Sequence, residues 1–452
     1  MFGLLTAFTF AIVFGMLSAG GEASPNHPGK VSVRTNPRPN GIQEYYRTLN
    51  KYGISRKLPP AFHQAQKRGQ SHKVRSIGRP QYSQANTQNP QDIPAIPDPG
   101  NAEYCSPITI GEGDNAKTFN IVFDTGSGDF WVYSDLLLQT EHFTNNISHS
   151  IYKPLRSNTS EPTGQVWGIQ YGLGNATGLV FHDTVTVAGI NLQKQPVEAA
   201  VITDFIMQPS QQFCDGIFGL YPLHPTTVKP GDNHMVLQDM FFGDGPDIPK
   251  QKVFTALLTR GVENPGFYTF GSIDQDAVGN QPINFVDVTT SREAPFWIVP
   301  SRQFFVDGKA IKNPDGQAIV DTGTTLLLVN DDILPHIYEP LGGFIDNNTQ
   351  AWIFPNNVSD SWFPEIVVPA GNQNLTLLRD DLIFDTEFIP GFVIGGIQSN
   401  GGLGLTIYGD VWLRNAYAIF DLGTGNGKDL RFGFVPRQLG GVVGLASGSK
   451  SN

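Results

Sequence analysis

Two short segments nearly 200 positions apart repeat each other: Phe119-Asn-Ile-Val-Phe-Asp124-Thr-Gly-Ser127 and Gln317-Ala-Ile-Val-Asp321-Thr-Gly-Thr324. One Asp-Thr-Gly arises by chance in on the order of one chain in ten of this length. Two copies, each ending an apolar run, constrain the fold far more. A second element repeats in step with the first. Gly219 of Gly216-Ile-Phe-Gly-Leu220 follows Asp124 by 95 positions (219 minus 124), and Gly409 of Thr406-Ile-Tyr-Gly-Asp410 follows Asp321 by 88 (409 minus 321). The chain is therefore read as a duplication. An apolar strand ending in Asp and Gly sets a carboxylate on a tight turn, and two such turns can bring two carboxylates face to face.

Carboxyl groups about 3 Å apart cannot both ionise, so they share a proton and divide into an acid and a base. The base can take a proton from water while the acid donates to an amide carbonyl oxygen. This chemistry needs no covalent enzyme intermediate, metal or cofactor. The alternative is that Asp124 and Asp321 cap unrelated turns. Other hydrolytic and phosphate-binding signatures are absent: there is no His-Glu-x-x-His, no Gly-x-Ser-x-Gly and no Gly-rich loop with Lys. A two-carboxylate glycosidase would share the acid and base logic but would not need the duplicated Thr-Gly-Ser/Thr surroundings.

The motifs Asp124-Thr-Gly-Ser-Gly-Asp-Phe-Trp131-Val, Tyr171-Gly-Leu-Gly174, Asp215-Gly-Ile-Phe-Gly-Leu220, Asp321-Thr-Gly-Thr-Thr325 and Ile407-Tyr-Gly-Asp410-Val resemble those of the pepsin-like aspartic endopeptidases. In that family a proton-sharing pair of aspartates is the type case. The match spans roughly residues 100 to 436. Trp131-Val-Tyr-Ser and Thr177-Gly-Leu-Val-Phe-His-Asp-Thr-Val-Thr-Val187 look most like the secreted fungal branch. The resemblance implies an all-β, bilobal fold: two pseudo-twofold-related, barrel-like lobes with a cleft between them. Composition agrees with a mostly β chain, with 39% apolar and 16% charged residues, 50 glycines, and alternating stretches such as Val180 to Val187. Helical signals are few. The clearest lies near Asp331 to Tyr338, where Asp332 is expected to cap a short turn.

The resemblance also implies roles. Asp124 and Asp321 would hold the attacking water, and Ser127 and Thr324 would bond the outer carboxylate oxygens. Thr125 and Thr322 would cross-link the turns from beneath, while Gly126 and Gly323 leave room for close backbone approach. Tyr171 and Gly172 would belong to a flap over the substrate, with the Trp131 indole N–H donating toward the Tyr171 phenol. Ile217 would line the pocket beside the scissile bond, giving cleavage between bulky apolar residues in an extended peptide. Leu173 departs from the family pattern, in which a polar residue stands at the flap tip. That departure keeps open a second reading, a catalytically impaired binding protein on the same scaffold.

Four regions are expected: a signal peptide over 1–23, a basic propeptide over 24–91, a first lobe over 92–285 carrying Asp124 and the flap, and a second over 286–452 carrying Asp321. Phe2 to Leu17 is nearly all apolar or small, and Ala23 fits a cleavage site. Residues 24–91 carry twelve Lys/Arg and one Glu, a net of +11, against −21 for residues 92–452; with Glu22 the total is −11. A basic head on an acidic body, after a signal, points to an intramolecular partner rather than nucleic acid or a membrane. The stretch Tyr45-Tyr-Arg-Thr-Leu-Asn-Lys-Tyr-Gly53 resembles the helical part of such propeptides, from which a lysine sits between the paired aspartates; the sequence does not say which. Acid would then weaken the attraction and release the segment. Lys67-Arg68 is a candidate processing site, and Asp92 to Pro99 reads as linker, which places the mature start between Gly69 and Ala102.

Sequons at Asn146, Asn158, Asn175, Asn347, Asn357 and Asn374 fit a secretory route. Secretion is expected, with an acidic vacuole as the alternative. Cys105 and Cys214 are an even pair, and the family pattern brings their segments together in the first lobe. A disulfide there closes a loop of about 110 residues, with a contribution of roughly 4 to 5 kcal/mol. The partners expected are protein or peptide substrates and the chain's own propeptide, on a monomer.

Overall fold

The structure is a computed structural model. It describes residues 41–54, 92–98, 100–138, 149–171, 174–203, 213–223, 226–231, 235–261, 265–385 and 389–437, all within one unit, Pro37–Asn452. The expected signal peptide, Lys67-Arg68, Asn146, Gly172, Leu173 and the tail after Arg437 lie outside the described residues.

Strands dominate. The first half contains β1 (Asp92–Pro97), β2 (Tyr104–Ile110), β3 (Lys117–Asp124), β4 (Phe130–Tyr133), β5 (Glu161–Tyr171), β6 (Gly174–Val187), β7 (Ile190–Thr203) and β8 (Gly216–Gly219), followed by β9 (Val253–Leu257) and β10 (Gly266–Phe270). They run in the order β9-β10-β1-β2-β3-β8-β4-β7-β6-β5, and an extra pairing of β2 with β6 closes the sheet from β2 to β6 into a barrel. In the second half, Gln317–Val320, Thr406–Tyr408, Leu327–Val329 and Ile397–Ser399 are four consecutive strands of a five-stranded sheet.

The duplication read from the motifs is visible in the pairing. β3 runs parallel to β8, which pairs antiparallel with β4, and β4 runs parallel to β7. In the second half Gln317–Val320 is parallel to Thr406–Tyr408, which is antiparallel to Leu327–Val329, and that strand is parallel to Ile397–Ser399. Each Asp-Thr-Gly therefore leaves the end of a strand whose parallel neighbour is the second repeated motif. Strands buried on both faces need nearly continuous apolar sequence, which is what Ile121 to Phe123 and Ala318 to Val320 supply.

Aromatic packing fixes the floor under these turns. Phe123, one residue before Asp124, meets Phe218, Tyr268 and Phe270 at ring separations of 5.4, 5.0 and 5.6 Å. Trp297 packs on Phe254 and Phe420 and donates its indole N–H to the Leu220 carbonyl at 2.9 Å. Burial of each such ring stabilises the fold by about 1.5–3 kcal/mol.

Two expectations are corrected. Asp92–Pro97 is not a linker but a fully buried strand, paired with β10 through residues 92–95 and with β2 through 96–97. Each residue has a ladder partner on one side only, so the missing N–H of Pro94 or Pro97 can face the open side, while Ile93, Ala95 and Ile96 bury their side chains. The helix near Asp331 starts at Leu334, with Ile333 at its N-cap and no side-chain cap. Pro335 in the first turn, with its preset φ, starts it instead of Asp332. Among the described residues no helix is long and apolar enough to cross a membrane.

Cys105 on β2 and Cys214, two residues before β8, form a disulfide with Cα atoms 5.8 Å apart. Cys105 pairs with Val122 on β3, so the bridge ties the entry of β8 to the strand that carries Asp124. The double variant Cys105→Ala/Cys214→Ala is expected to lose about 4 kcal/mol of unfolding free energy by urea titration, because a link 109 residues apart no longer restricts the unfolded chain.

Candidate active site

The two turns are built alike. Gly126 N donates to Asp124 Oδ1 at 2.8 Å and Gly323 N to Asp321 Oδ1 at 2.9 Å, so each aspartate bonds its own turn two residues on. The following hydroxyl takes the other oxygen: Ser127 Oγ donates to Asp124 Oδ2 at 2.6 Å, and Thr324 Oγ1 to Asp321 Oδ2.

Beneath them the threonines interlock. Thr125 N donates to Thr322 Oγ1 at 3.1 Å and Thr322 N to Thr125 Oγ1 at 2.9 Å. Each hydroxyl donates onward to the opposite strand, Thr125 to the Val320 carbonyl at 2.9 Å and Thr322 to the Phe123 carbonyl at 2.6 Å. All of these groups are buried, so every donor and acceptor has to be matched here rather than by water. The glycines set the closeness. A Cβ on Gly126 would stand 2.5 Å from the Asp321 carboxyl, and one on Gly323 would collide with Asp124.

Into this pair reaches the helix α1 (Gly41–Lys51). Ile42, Tyr45, Tyr46 and Leu49 form its apolar stripe and are buried. Its first amide, Gly41 N, donates to Asp385 Oδ2 at 2.8 Å, a carboxylate where the helix end favours one. Lys51 closes the helix, and its Nζ donates to Asp124 Oδ1 at 2.7 Å, to Asp321 Oδ2 at 2.8 Å and to the Gly323 carbonyl at 3.3 Å. Tyr52 OH adds a bond to Asp321 Oδ2 at 2.6 Å. The lysine left unassigned by the sequence is thus Lys51, the one lysine in the helical stretch. The role of Tyr52 was not read from sequence at all, although it stands next to that lysine.

The carboxyls are hydrogen-bonded to each other and titrate apart. Burial raises Asp124, with the neighbouring Asp321 adding to it against Lys51. Burial would raise Asp321 too, but the Lys51 charge and the bonds from Asp124, Lys51 and Thr324 outweigh it and hold that group at about 2. The arrangement can hold one proton and one charge between two carboxyls, and here the charge is met by an ammonium.

A family model for eukaryotic aspartyl proteases matches residues 103–428. The chain belongs to the eukaryotic aspartyl protease family. It is an aspartic-type endopeptidase, a peptide hydrolase acting on protein or peptide substrates. Aspergillopepsin-1 of Aspergillus flavus is 36% identical over 334 residues, covering 72% of this chain and 76% of the relative. Penicillopepsin-2 of Penicillium janthinellum is 34% identical over 353 residues, 75% of this chain and 80% of its own length. In fold, the protease is similar to the crystal structure of aspartic proteinase from Irpex lacteus, with a TM-score of 0.59 at 22% identity over 76% of this chain and 97% of that one.

Around the dyad of this protease, Ile217 lies on β8 beside Val122, lines the same cavity as Asp124, and is buried. Trp131 is buried and stacks on Trp167 with centroids 5.9 Å apart. Tyr171 ends β5 opposite Gly174; its side chain lies outside the described part. Asn158, Asn175, Asn347, Asn357 and Asn374 are exposed, with Asn158 accepting from Asn115 at 3.2 Å.

Glu44 of α1 was also missed. It is buried beside the dyad and accepts from Thr325 Oγ1 at 3.3 Å. Burial pushes its carboxyl up to about 7 despite Arg47, with Glu103 and Asp98 adding to the rise. A group raised in the docked state favours docking below its free value of 4.5, and that contribution is lost as pH rises through about 7. Glu44→Gln should therefore raise the thermal unfolding midpoint of the intact chain at pH 8, by the equivalent of ~3 kcal/mol, and leave it unchanged below pH 4.5.

Proposed function

We propose that the chain is the secreted zymogen of an acid-acting aspartic endopeptidase, plugged by its own propeptide. The observation that carries this is the Lys51 ammonium seated 2.7 and 2.8 Å from the two aspartates. While it stays there, no water can sit between them. Residues 1–23 act as the signal peptide and 24–91 as the propeptide. The lobes are 92–285 and 286–452, and the mature enzyme works as a monomer. Because β1 is already woven into the sheet, the propeptide is cut before Asp92.

Release follows from the carboxylate sharing Lys51. The Lys51 ammonium holds the buried Asp321 carboxyl down at about 2 in the plugged state, so its hold on α1 weakens as acid protonates that carboxylate. Once α1 has gone, the ionised aspartate takes a proton from water as the water oxygen attacks the amide carbon. The protonated partner gives its proton to the carbonyl oxygen, and the tetrahedral intermediate collapses when a proton passes to the leaving amine. Ser127 and Thr324 keep the carboxyls unequal by bonding their outer oxygens. Thr125, Thr322, Gly126 and Gly323 hold the spacing. Tyr171 and Gly172 close over an extended substrate, with Trp131 supporting the flap and Ile217 favouring bulky apolar residues at the scissile bond.

Acid-treated protein should hydrolyse a denatured protein substrate between pH 2.5 and 5, and lose this activity in Asp321→Asn or with a statine-type inhibitor. No hydrolysis at any pH would instead make the cleft a recognition site. Lys51→Met should convert to the mature form at higher pH than the wild type, followed by gel mobility; conversion equal at neutral and acidic pH in the wild type would refute the acid switch.

A further inference from the structure

One hydroxyl ties β5, the strand that leads to the flap, to the loop that carries Asp124. Asp129 stands five residues after Asp124 and is buried. Its Oδ1 accepts twice from Thr227, from N at 2.7 Å and from Oγ1 at 3.0 Å. With its one proton given to Asp129, the Thr227 hydroxyl can only accept from other groups, and Gly168 N of β5 donates to it at 3.3 Å. A hydroxyl polarised by a carboxyl in this way is a better acceptor than a free one. Behind Asp129 lies Glu198 on β7, a second buried carboxyl in hydrogen-bonding contact with it. Burial raises both groups, Glu198 well above the usual carboxylate range, so the pair keeps a proton and Asp129 Oδ1 stays an acceptor.

The segment that holds Thr227 is itself firmly seated. Val228 is buried in the apolar cluster that contains Trp131 and Trp167, and Lys229 exchanges two backbone bonds with Val166 of β5, each at 2.8 Å. Gly168 lies two residues further along β5, three residues and about 10 Å short of Tyr171. There β5 is the outermost strand of its sheet, with β6 as its ladder partner. A free hydroxyl rotates to suit whatever approaches it, but this rotor is locked by Asp129, so it offers the strand one direction of approach. We propose that Thr227 is a positioning residue of the protease: its hydroxyl, oriented by Asp129, fixes the height of the flap above the dyad and hence how tightly the flap closes on substrate. This rests on the endopeptidase reading with Tyr171 on the flap, and assigns the strut between flap and catalytic loop.

The test compares acid-matured wild type, Thr227→Val and Thr227→Ser on one peptide with an apolar scissile pair, each referred to active enzyme titrated with a statine-type inhibitor. Valine keeps the shape of threonine and the N–H bond to Asp129 but has no hydroxyl; serine keeps both bonds. Thr227→Val should raise KM about fivefold, the worth of one hydrogen bond, with kcat unchanged. It should speed inhibitor dissociation by the same factor, and by mass spectrometry the amides of β5 should exchange faster. Thr227→Ser should restore all three. A merely structural threonine would lower the unfolding midpoint and leave KM and inhibitor dissociation of the titrated enzyme as in the wild type, and that result refutes the strut while the endopeptidase reading stands. A serine variant as impaired as the valine one also refutes it. If the wild type cleaves no peptide, both are wrong.

Discussion

Two buried carboxyl groups in hydrogen-bonding contact are tolerable only if a proton or a cation lies between them, and much of this molecule is arranged around that restriction. Left alone, Asp124 and Asp321 would repel as ions and separate. The crossed bonds between Thr125 and Thr322 prevent separation, because each hydroxyl also bonds a carbonyl of the opposite strand. Pulling the turns apart would break four buried hydrogen bonds, and each donor left unpaired costs about 1–3 kcal/mol. The duplication matters physically because reciprocal bonds need the same residue in the same place on both turns.

The same restriction explains why a lysine fits the site so well. A bound ammonium supplies the missing positive charge without a proton, and the helix supplies an apolar face that buries Ile42, Tyr45, Tyr46 and Leu49. The charges on that helix do not all act in one direction. Lys51 draws α1 onto the single charge held by the two aspartates, whereas Glu44 is buried as a carboxyl that prefers to keep its proton. The attachment therefore reflects a balance between a cation that needs one aspartate ionised and an acid that needs the medium not too alkaline.

The dyad, its hydroxyls and the interlocked threonines were legible because their chemistry recurs as short motifs with fixed neighbours, whereas the pairing of Cys105 with Cys214 came from an even count and the family pattern. Legibility fails where a partner is set only by the folded path of the chain. Nothing local links Arg47 to Glu103, 56 positions away, or Trp131 to the Trp167 ring it stacks on. Asp92 to Pro97 was misread for another reason: prolines signal a linker when each residue is assumed to have two ladder partners, and β1 has one at a time. At Leu334 the proline inside the first turn overrode the aspartate that resembled a cap.

β1 is already in its buried place, between β10 and β2, while α1 still fills the groove. Among the described residues, no strand of the body would have to be woven in if the helix departed. If the chain is the zymogen proposed above, its maturation is closer to drawing a cork than to completing a fold, with the detachment of one short helix as its barrier. Under that reading the device works once: when the tether is severed it cannot be reset, because the stopper is no longer part of the same molecule.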